Sequence, residues 1–260
     1  MKIQEVAEAL ERFAPLPLQE GYDNAGLQVG LTAAEASGVL LCLDVTPEVI
    51  REAVAMDCNM VVSHHPLLFR GLKRIADDTL VERCVREAIL RGVALYAAHT
   101  NLDNALGGVN YRIAEMLGLG DVEFLDSAAD GQSGSGIIGT LPKAEGALDF
   151  LARVKKIFHV DCLMHNAGPH ALVQRIAVCG GAGDFLADRA VAEGADVFLT
   201  GEIGYHHFFG YEDKIWLAAL GHYQSEQFTI DLMGDILREQ FPNLHIEQTR
   251  VNTNPILYMV

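Results

Sequence analysis

The spacing of apolar runs along this chain predicts an α/β fold made of two similar βα-rich lobes packed together. Three observations carry the prediction. Strand-length runs rich in Val, Leu and Ala recur at residues 39–44, 59–63 and 93–97, with helix-length segments between them. The alternation stops between residues 126 and 136, where Ser, Ala, Asp and Gly dominate, and then resumes. Residues 52–63 also line up with residues 189–200, helix against helix and strand against strand. Strands and helices alternating in this way pair in parallel through right-handed crossovers. The expected division is an N-terminal lobe over 1–126, a linker over 127–136 and a C-terminal lobe over 137–260, and the two lobes can also form one domain.

In chain order, Ile3, Val6, Ala7, Leu10 and Phe13 lie at helical spacing, and Pro15 and Pro17 stop that helix. Tyr22-Asp23-Asn24-Ala25-Gly26 reads as a turn feeding a short strand. After the strand at 39–44, Thr46 is placed to cap and Pro47 to open a helix reaching residue 57. The strand at 59–63 ends abruptly in His64-His65-Pro66, because Pro66 has no amide to give a ladder. A helix over 78–91 and a strand over 93–97 follow, and the strand runs into His99-Thr100-Asn101-Leu102-Asp103. Beyond the linker come a strand at 137–141, a helix through Ile157, a strand at 175–179 and a glycine-rich turn opening a helix to residue 193. Strands at 196–200 and 214–219 then meet Gly201-Glu202 and Gly221-His222, before a long helix to residue 240 and a last strand at 245–250.

Composition narrows the function classes. Half of the 260 residues are hydrophobic, enough for a sizeable core. A formal net charge of −16 repels phosphate backbones and anionic membrane surfaces, so neither nucleic acid nor membrane is an expected partner. Five dispersed cysteines with no C-x-x-C pair read as reduced thiols of a cytoplasmic protein. The amino terminus starts an amphipathic helix without a signal-like apolar stretch, and no run reaches membrane-span length.

Neighbouring residues on a regular strand face opposite ways, so His64 and His65 can serve one site only where the strand ends. Carboxyl ends of strands are where open α/β sheets bind ligands. His222 and Glu226 sit four apart at the start of a helix and share a face. Together with Asp103 these residues supply imidazoles and carboxylates without thiolates, a donor set for zinc, iron, manganese or another divalent metal. Five protein ligands exceed the roughly three of a catalytic zinc and suit two bridged metals. Two dications against two carboxylates leave positive charge for an anionic substrate group and an activated water. The expected site is therefore a dinuclear centre in the cleft between the lobes.

Each half closes with a comparable pair, His99-x-x-x-Asp103 and His222-x-x-x-Glu226. His99 reads as an outer partner, a substrate contact or a satisfied strand-end histidine. Glu202, matched to His65 by the repeat, reads as a general base, an outer partner or a polar cap. His99 and Glu202 are the catalytic candidates. Asp44 can shape the site or act in it. His206 and His207 read as a solvated pair near it. Gly180-Gly181-x-Gly183 reads as a tight turn ahead of a phosphate cradle, and His159, His165, His170 and His245 as structural or surface residues.

These motifs carry a family resemblance. Asp23-Asn24-x-Gly26-Leu27-Gln28-Val29-Gly30, Ser63-His64-His65-Pro66-Leu67-Leu68-Phe69, His99-Thr100-Asn101-Leu102-Asp103, Thr200-Gly201-Glu202 and Gly221-His222-Tyr223-x-Ser225-Glu226 occur in order. The set resembles the Ngg-interacting-factor-like family, whose bacterial members are commonly labelled GTP cyclohydrolase 1 type 2 homologues. The resemblance implies two similar lobes, a ring-shaped homohexamer and a dinuclear site on His64, His65, Asp103, His222 and Glu226. Some relatives carry an added domain between the lobes, for which this linker is too short. Tyr22 stands where many relatives have Trp. The expected activity is metal-dependent hydrolysis of an anionic or nucleotide-like small molecule. The alternative is a metal storage or insertion protein without turnover, and a protein-contact scaffold ranks last.

Overall fold

The computed structural model describes residues 1–129 and 131–259. Along the chain run α1 (Ile3–Phe13), β1 (Gly26–Val29), β2 (Val39–Cys42), α2 (Pro47–Ala55), β3 (Met60–Ser63), α3 (Leu80–Arg91), β4 (Ala94–Ala97) and the single turn α4 (Thr100–Asp103). Then come α5 (Val109–Leu117), β5 (Gly120–Ser127), β6 (Gly134–Gly146), α6 (Ala147–Ile157), β7 (Met164–His165), β8 (Leu172–Cys179) and α7 (Ala187–Ala192). The chain closes with β9 (Val197–Thr200), β10 (Trp216–Ala219), α8 (His222–Glu226), α9 (Thr229–Gln240) and β11 (Ile246–Gln248). No helix among the described residues is long and apolar enough to cross a membrane.

The fold is mixed α/β with two sheets. It divides into two compact units, Met1–Leu102 with Thr229–Pro255, and Asp103–Phe228 with Ile256–Val260. The first unit holds a sheet in the order β1-β4-β3-β2-β11. β11, β2, β3 and β4 are parallel, and β1 runs antiparallel on β4. Every residue of β2, β3 and β4 is buried, as in parallel strands covered on both faces. Leu40, Val61 and Leu95 pack there with Val49, Ile50 and Ala88 of α2 and α3. Local signals hold these helices in place. Thr46 Oγ1 accepts from Val49 N–H ahead of Pro47. Thr79 and Glu82 form a reciprocal capping box, and Gly92 closes α3 at φ 68°. Removing that cap with Thr79→Ala is expected to cost about 1 kcal/mol in urea unfolding.

The second unit holds a sheet in the order β5-β6-β8-β9-β10-β7. β8, β9 and β10 are parallel, and the remaining pairs are antiparallel. Phe198, Ala177 and Leu217 pack with Ala187 and Ala190 of α7.

Three expectations change. The stretch at 127–136 joins two antiparallel strands of one sheet, Asp126 facing Ser135 and Ser127 facing Gly134. It is a hairpin connection inside the second unit; Asp130 lies outside the described residues. The units therefore part at Leu102/Asp103 and Phe228/Thr229 rather than at the glycine-rich stretch, and α9 and β11 belong with the first sheet. β11 pairs with β2, and that long-range ladder, absent from any local pattern, takes the carboxyl-terminal elements back. Second, the expected long helix after His222 is split into α8 and α9. Third, the repeat holds as a helix–strand unit, α2–β3 and α7–β9, but its closing pairs are one residue out of step. Ser63 faces Ala97 and Thr200 faces Ala219, so His99 matches Gly221 and His222 matches Thr100.

Candidate metal centre

In the first unit, β3 delivers His64 and His65 just where its ladder is ending. His64 N–H still reaches Cys42 O at 3.1 Å and His65 N–H reaches Leu43 O at 2.9 Å. Ser63 Oγ donates back to His65 O at 2.8 Å, which fixes the turn ahead of Pro66. His64 is fully buried, with Nδ1 2.8 Å from Ala98 O. A carbonyl only accepts, so Nδ1 carries a proton, and in the neutral ring the lone pair is then on Nε2. His65 Nδ1 is likewise 2.8 Å from Asp44 Oδ1. Burial alone would raise the Asp44 pKa, but the His65 hydrogen bond and imidazole charge, with the Thr253 hydroxyl, hold it below the ordinary value. Asp44 thus acts on His65 as its orienting carboxylate.

His99 joins this group, its ring centroid 5.4 Å from that of His64 and 5.6 Å from that of His65. Its Nδ1 lies 2.8 Å from Asp23 Oδ1, and the Asp23 side chain has no exposed surface. Asp23 also accepts from Thr100 N–H at 3.1 Å, from the Thr100 hydroxyl and from Asn24 N–H. Burial pushes its pKa up, but the bonds from His99 and Thr100 and the nearby imidazole outweigh that and bring it to about 2. The sequence marks this stretch as a turn feeding a strand and as a family motif, and assigns Asp23 no role. The same motif braces the histidine loop, for Asn24 Nδ2 donates to Leu68 O at 2.6 Å and Gln28 Oε1 accepts from Leu68 N–H at 2.9 Å.

In the second unit, α8 starts directly after β10 and places His222 and Glu226 one turn apart. His222 Nε2 is 3.1 Å from Glu226 Oε2, and His222 Nδ1 is 3.1 Å from Glu202 Oε1. Glu202 is thereby placed as the orienting partner of His222, while Glu226 is almost wholly buried. Asp103 closes α4, and its carbonyl accepts from Asn110 Nδ2 at 3.1 Å. Burial drives the Cys179 thiol far above its ordinary pKa, and the Asp103 and Glu226 carboxylates push it the same way. Cys179 therefore stays a neutral thiol beside two acids, and the donor set remains nitrogen and oxygen.

Glycines make room for these acids. Gly181, at φ +63°, lies where any Cβ would run into the Glu226 carboxylate, and a Cβ at Gly201 would meet Gly181 O and Ser225 Oγ. The same turn settles the phosphate-cradle alternative. Gly180 N–H donates to Asn110 Oδ1, Gly181 N–H to Ser225 Oγ and Gly183 N–H to Thr200 Oγ1, at 2.9, 3.0 and 2.9 Å. With those amides committed, the turn shapes the protein and offers no nest to an anion.

Among the described residues, His64, His65 and Glu226 form a group that can hold a metal ion, each offering a ligand atom within 4.8 Å of the others. His222 adjoins it through the ion pair with Glu226. His206 and His207 lie on an exposed turn, where His207 Nδ1 pairs with Asp184 Oδ2. His165 and His245 bond to backbone carbonyls and serve structure.

Comparison with known proteins identifies the family and agrees with the fold. The family described as Duf34/NIF3 (NGG1p interacting factor 3) matches residues 1–255. A Clostridium perfringens protein named GTP cyclohydrolase 1 type 2 homolog is 36% identical over 229 residues, covering 87% of each chain. A Lactococcus lactis protein of the same name is 34% identical, with 98% of each chain covered. The crystal structure of Staphylococcus aureus hypothetical protein SA1388 superposes with a TM-score of 0.91 at 26% identity, over 100% of this chain and 99% of that one. The chain belongs to the Duf34/NIF3 family.

Proposed function

We propose that His64, His65, Asp103, His222 and Glu226 hold two divalent metal ions, and that the protein is a metal-dependent hydrolase of an anionic or nucleotide-like small molecule. The observation that carries this reading is the state of the imidazoles. His64 and His65 have Nδ1 committed to Ala98 O and Asp44, which turns the far side of each neutral ring toward a metal, and each residue offers a ligand atom within 4.8 Å of one on Glu226. Imidazole and carboxylate donors of this kind fit zinc, iron or manganese.

Bound dications would supply Lewis acidity for activating water and polarising the scissile bond. The chain's own residues do the rest. Asp44 and Glu202 keep His65 and His222 oriented. His99, anchored through Nδ1 on the ionised Asp23, presents Nε2 for holding or passing a proton. The relatives' name makes guanine nucleotides the first substrates to try. A cytoplasmic setting and a homohexamer are part of the proposal.

The test is metal analysis of freshly purified protein, followed by metal-dependent turnover of a nucleotide panel. Glu226→Gln is expected to lower turnover by about 100-fold or more, as loss of a group central to such a site does. Equal rates in the parent and the variant would remove the hydrolase reading. One observation favours a second reading, metal storage or insertion without turnover. His222 and Glu202 keep 32% and 56% of their side-chain surface exposed, which leaves that half open to ligand exchange. Stoichiometric metal transfer to an acceptor with no substrate consumed would select it.

A further inference from the structure

We infer that Thr253, in the carboxyl-terminal segment, is a positioning residue for His65 and acts through Asp44; the inference rests on the metal centre proposed above and adds a residue to it. Thr253 Oγ1 donates to Asp44 Oδ2 at 2.8 Å, while Asp44 Oδ1 accepts from His65 Nδ1 at 2.8 Å. Each oxygen of one carboxylate is thus held by a different donor. The carboxylate cannot turn about its Cβ–Cγ bond without losing one of them. Its plane sets the direction in which the imidazole is held, and therefore where Nε2 points.

The segment that brings Thr253 there is itself anchored. β11 lies parallel to β2 with Gln248 facing Leu41, and Thr249 N–H extends the ladder to Leu41 O at 2.9 Å. Glu52 of α2 then accepts from Arg250 N–H at 3.0 Å and from the Thr249 hydroxyl. Val251 N–H donates to Thr249 Oγ1 at 3.1 Å. Asp44 lies just past the end of β2, and the tail runs beside β2 in the same direction. Thr253 consequently arrives alongside Asp44, and its hydroxyl is half-buried on that carboxylate. A threonine that merely filled surface would need neither the anchors nor an acceptor already bonded to a histidine.

The experiment uses the full chain in three forms. Thr253→Val keeps the shape and removes the donor, whereas Thr253→Ser keeps the donor and removes the methyl. In metal-free protein, 15N NMR of the His65 ring is expected to report the Nδ1-protonated tautomer in the parent and the serine variant, and a mixture in the valine variant. In competition with a chromophoric chelator, Zn2+ binding is expected to weaken about tenfold in Thr253→Val, the low end for outer partners, and about twofold or less in Thr253→Ser. Unchanged tautomers in the valine variant, or a serine variant as impaired as the valine one, overturns the inference. If the parent binds no Zn2+ but the tautomer still shifts in Thr253→Val, the metal reading fails and the positioning role stands. If the parent binds Zn2+ and the valine variant binds it equally well, the role of Thr253 fails alone.

Discussion

A His64→Ala variant is expected to bind Zn2+ or Mn2+ at least about 100-fold more weakly than the parent, beyond the range typical for loss of an outer partner. His64 has no solvent-accessible surface, and its Nδ1 is spent on Ala98 O. Nε2 is then the ring atom available to an ion, and alanine supplies no donor in its place. The substitution also vacates core volume at the end of β3, so stability is expected to fall by about 1–3 kcal/mol. Affinity must therefore be compared at a temperature where circular dichroism shows both proteins folded. His64→Gln, which refills most of the space, is expected to show the same loss of affinity with a smaller loss of stability. Metal binding retained within tenfold in both variants would remove His64 from the ligand set.

The second large effect is expected at Asp23. This carboxylate has no exposed side-chain surface and is the shared acceptor for His99, Thr100 and Asn24. Asp23→Asn keeps the volume but puts an N–H₂ where one oxygen accepted, so donors are left facing a donor. We expect a loss of about 3 kcal/mol at pH 7, the sum of one charge-assisted bond and a buried donor left unsatisfied. The pH dependence gives an independent check. The folded pKa of about 2 lies below the ordinary value of 3.8, so the native state releases this proton more readily than the unfolded chain. The contribution is therefore complete above about pH 4 and is lost as pH falls through about 2, a change of about 2 kcal/mol. Urea midpoints between pH 5 and pH 2.5 are expected to fall less steeply in Asp23→Asn than in the parent. Parallel slopes would mean that Asp23 is not the carboxylate responsible.

Much of this layout was legible from local pattern. The Val-rich run before His64-His65-Pro66 is a buried strand, and Pro66 ends it as its missing amide requires. Thr46-Pro47 opens a helix, and His222 and Glu226 occupy one turn of another. Part of what local pattern does not reveal has weak contrast. β5 has half-exposed, acidic alternation that blends into the loop after it, so local pattern does not separate it from that loop. α5 does carry a signal, with Val109, Ile113, Ala114 and Leu117 buried at helical spacing ahead of Gly118 in the left-handed region, and it adds a helix to those expected. The glycine-rich stretch looked like a boundary because loops between lobes and loops of hairpins draw on the same residues. Only the pairing of Asp126 with Ser135 tells them apart.

The sequence by itself determined the chemistry available: adjacent histidines at a strand end, a histidine and a glutamate one helical turn apart, and no thiolate pair to compete with them. Those are properties of nearest neighbours, and backbone sterics and side-chain periodicity express them locally. Only the tertiary structure decided which acceptor holds Nδ1 of His64, His65 and His99. The acceptors that tie up Nδ1 come from 34 residues away for His64, 21 for His65 and 76 for His99. Hydrogen bonds over such separations exist because sheet pairing brings distant strand ends together, and no repeat or spacing along the chain records them.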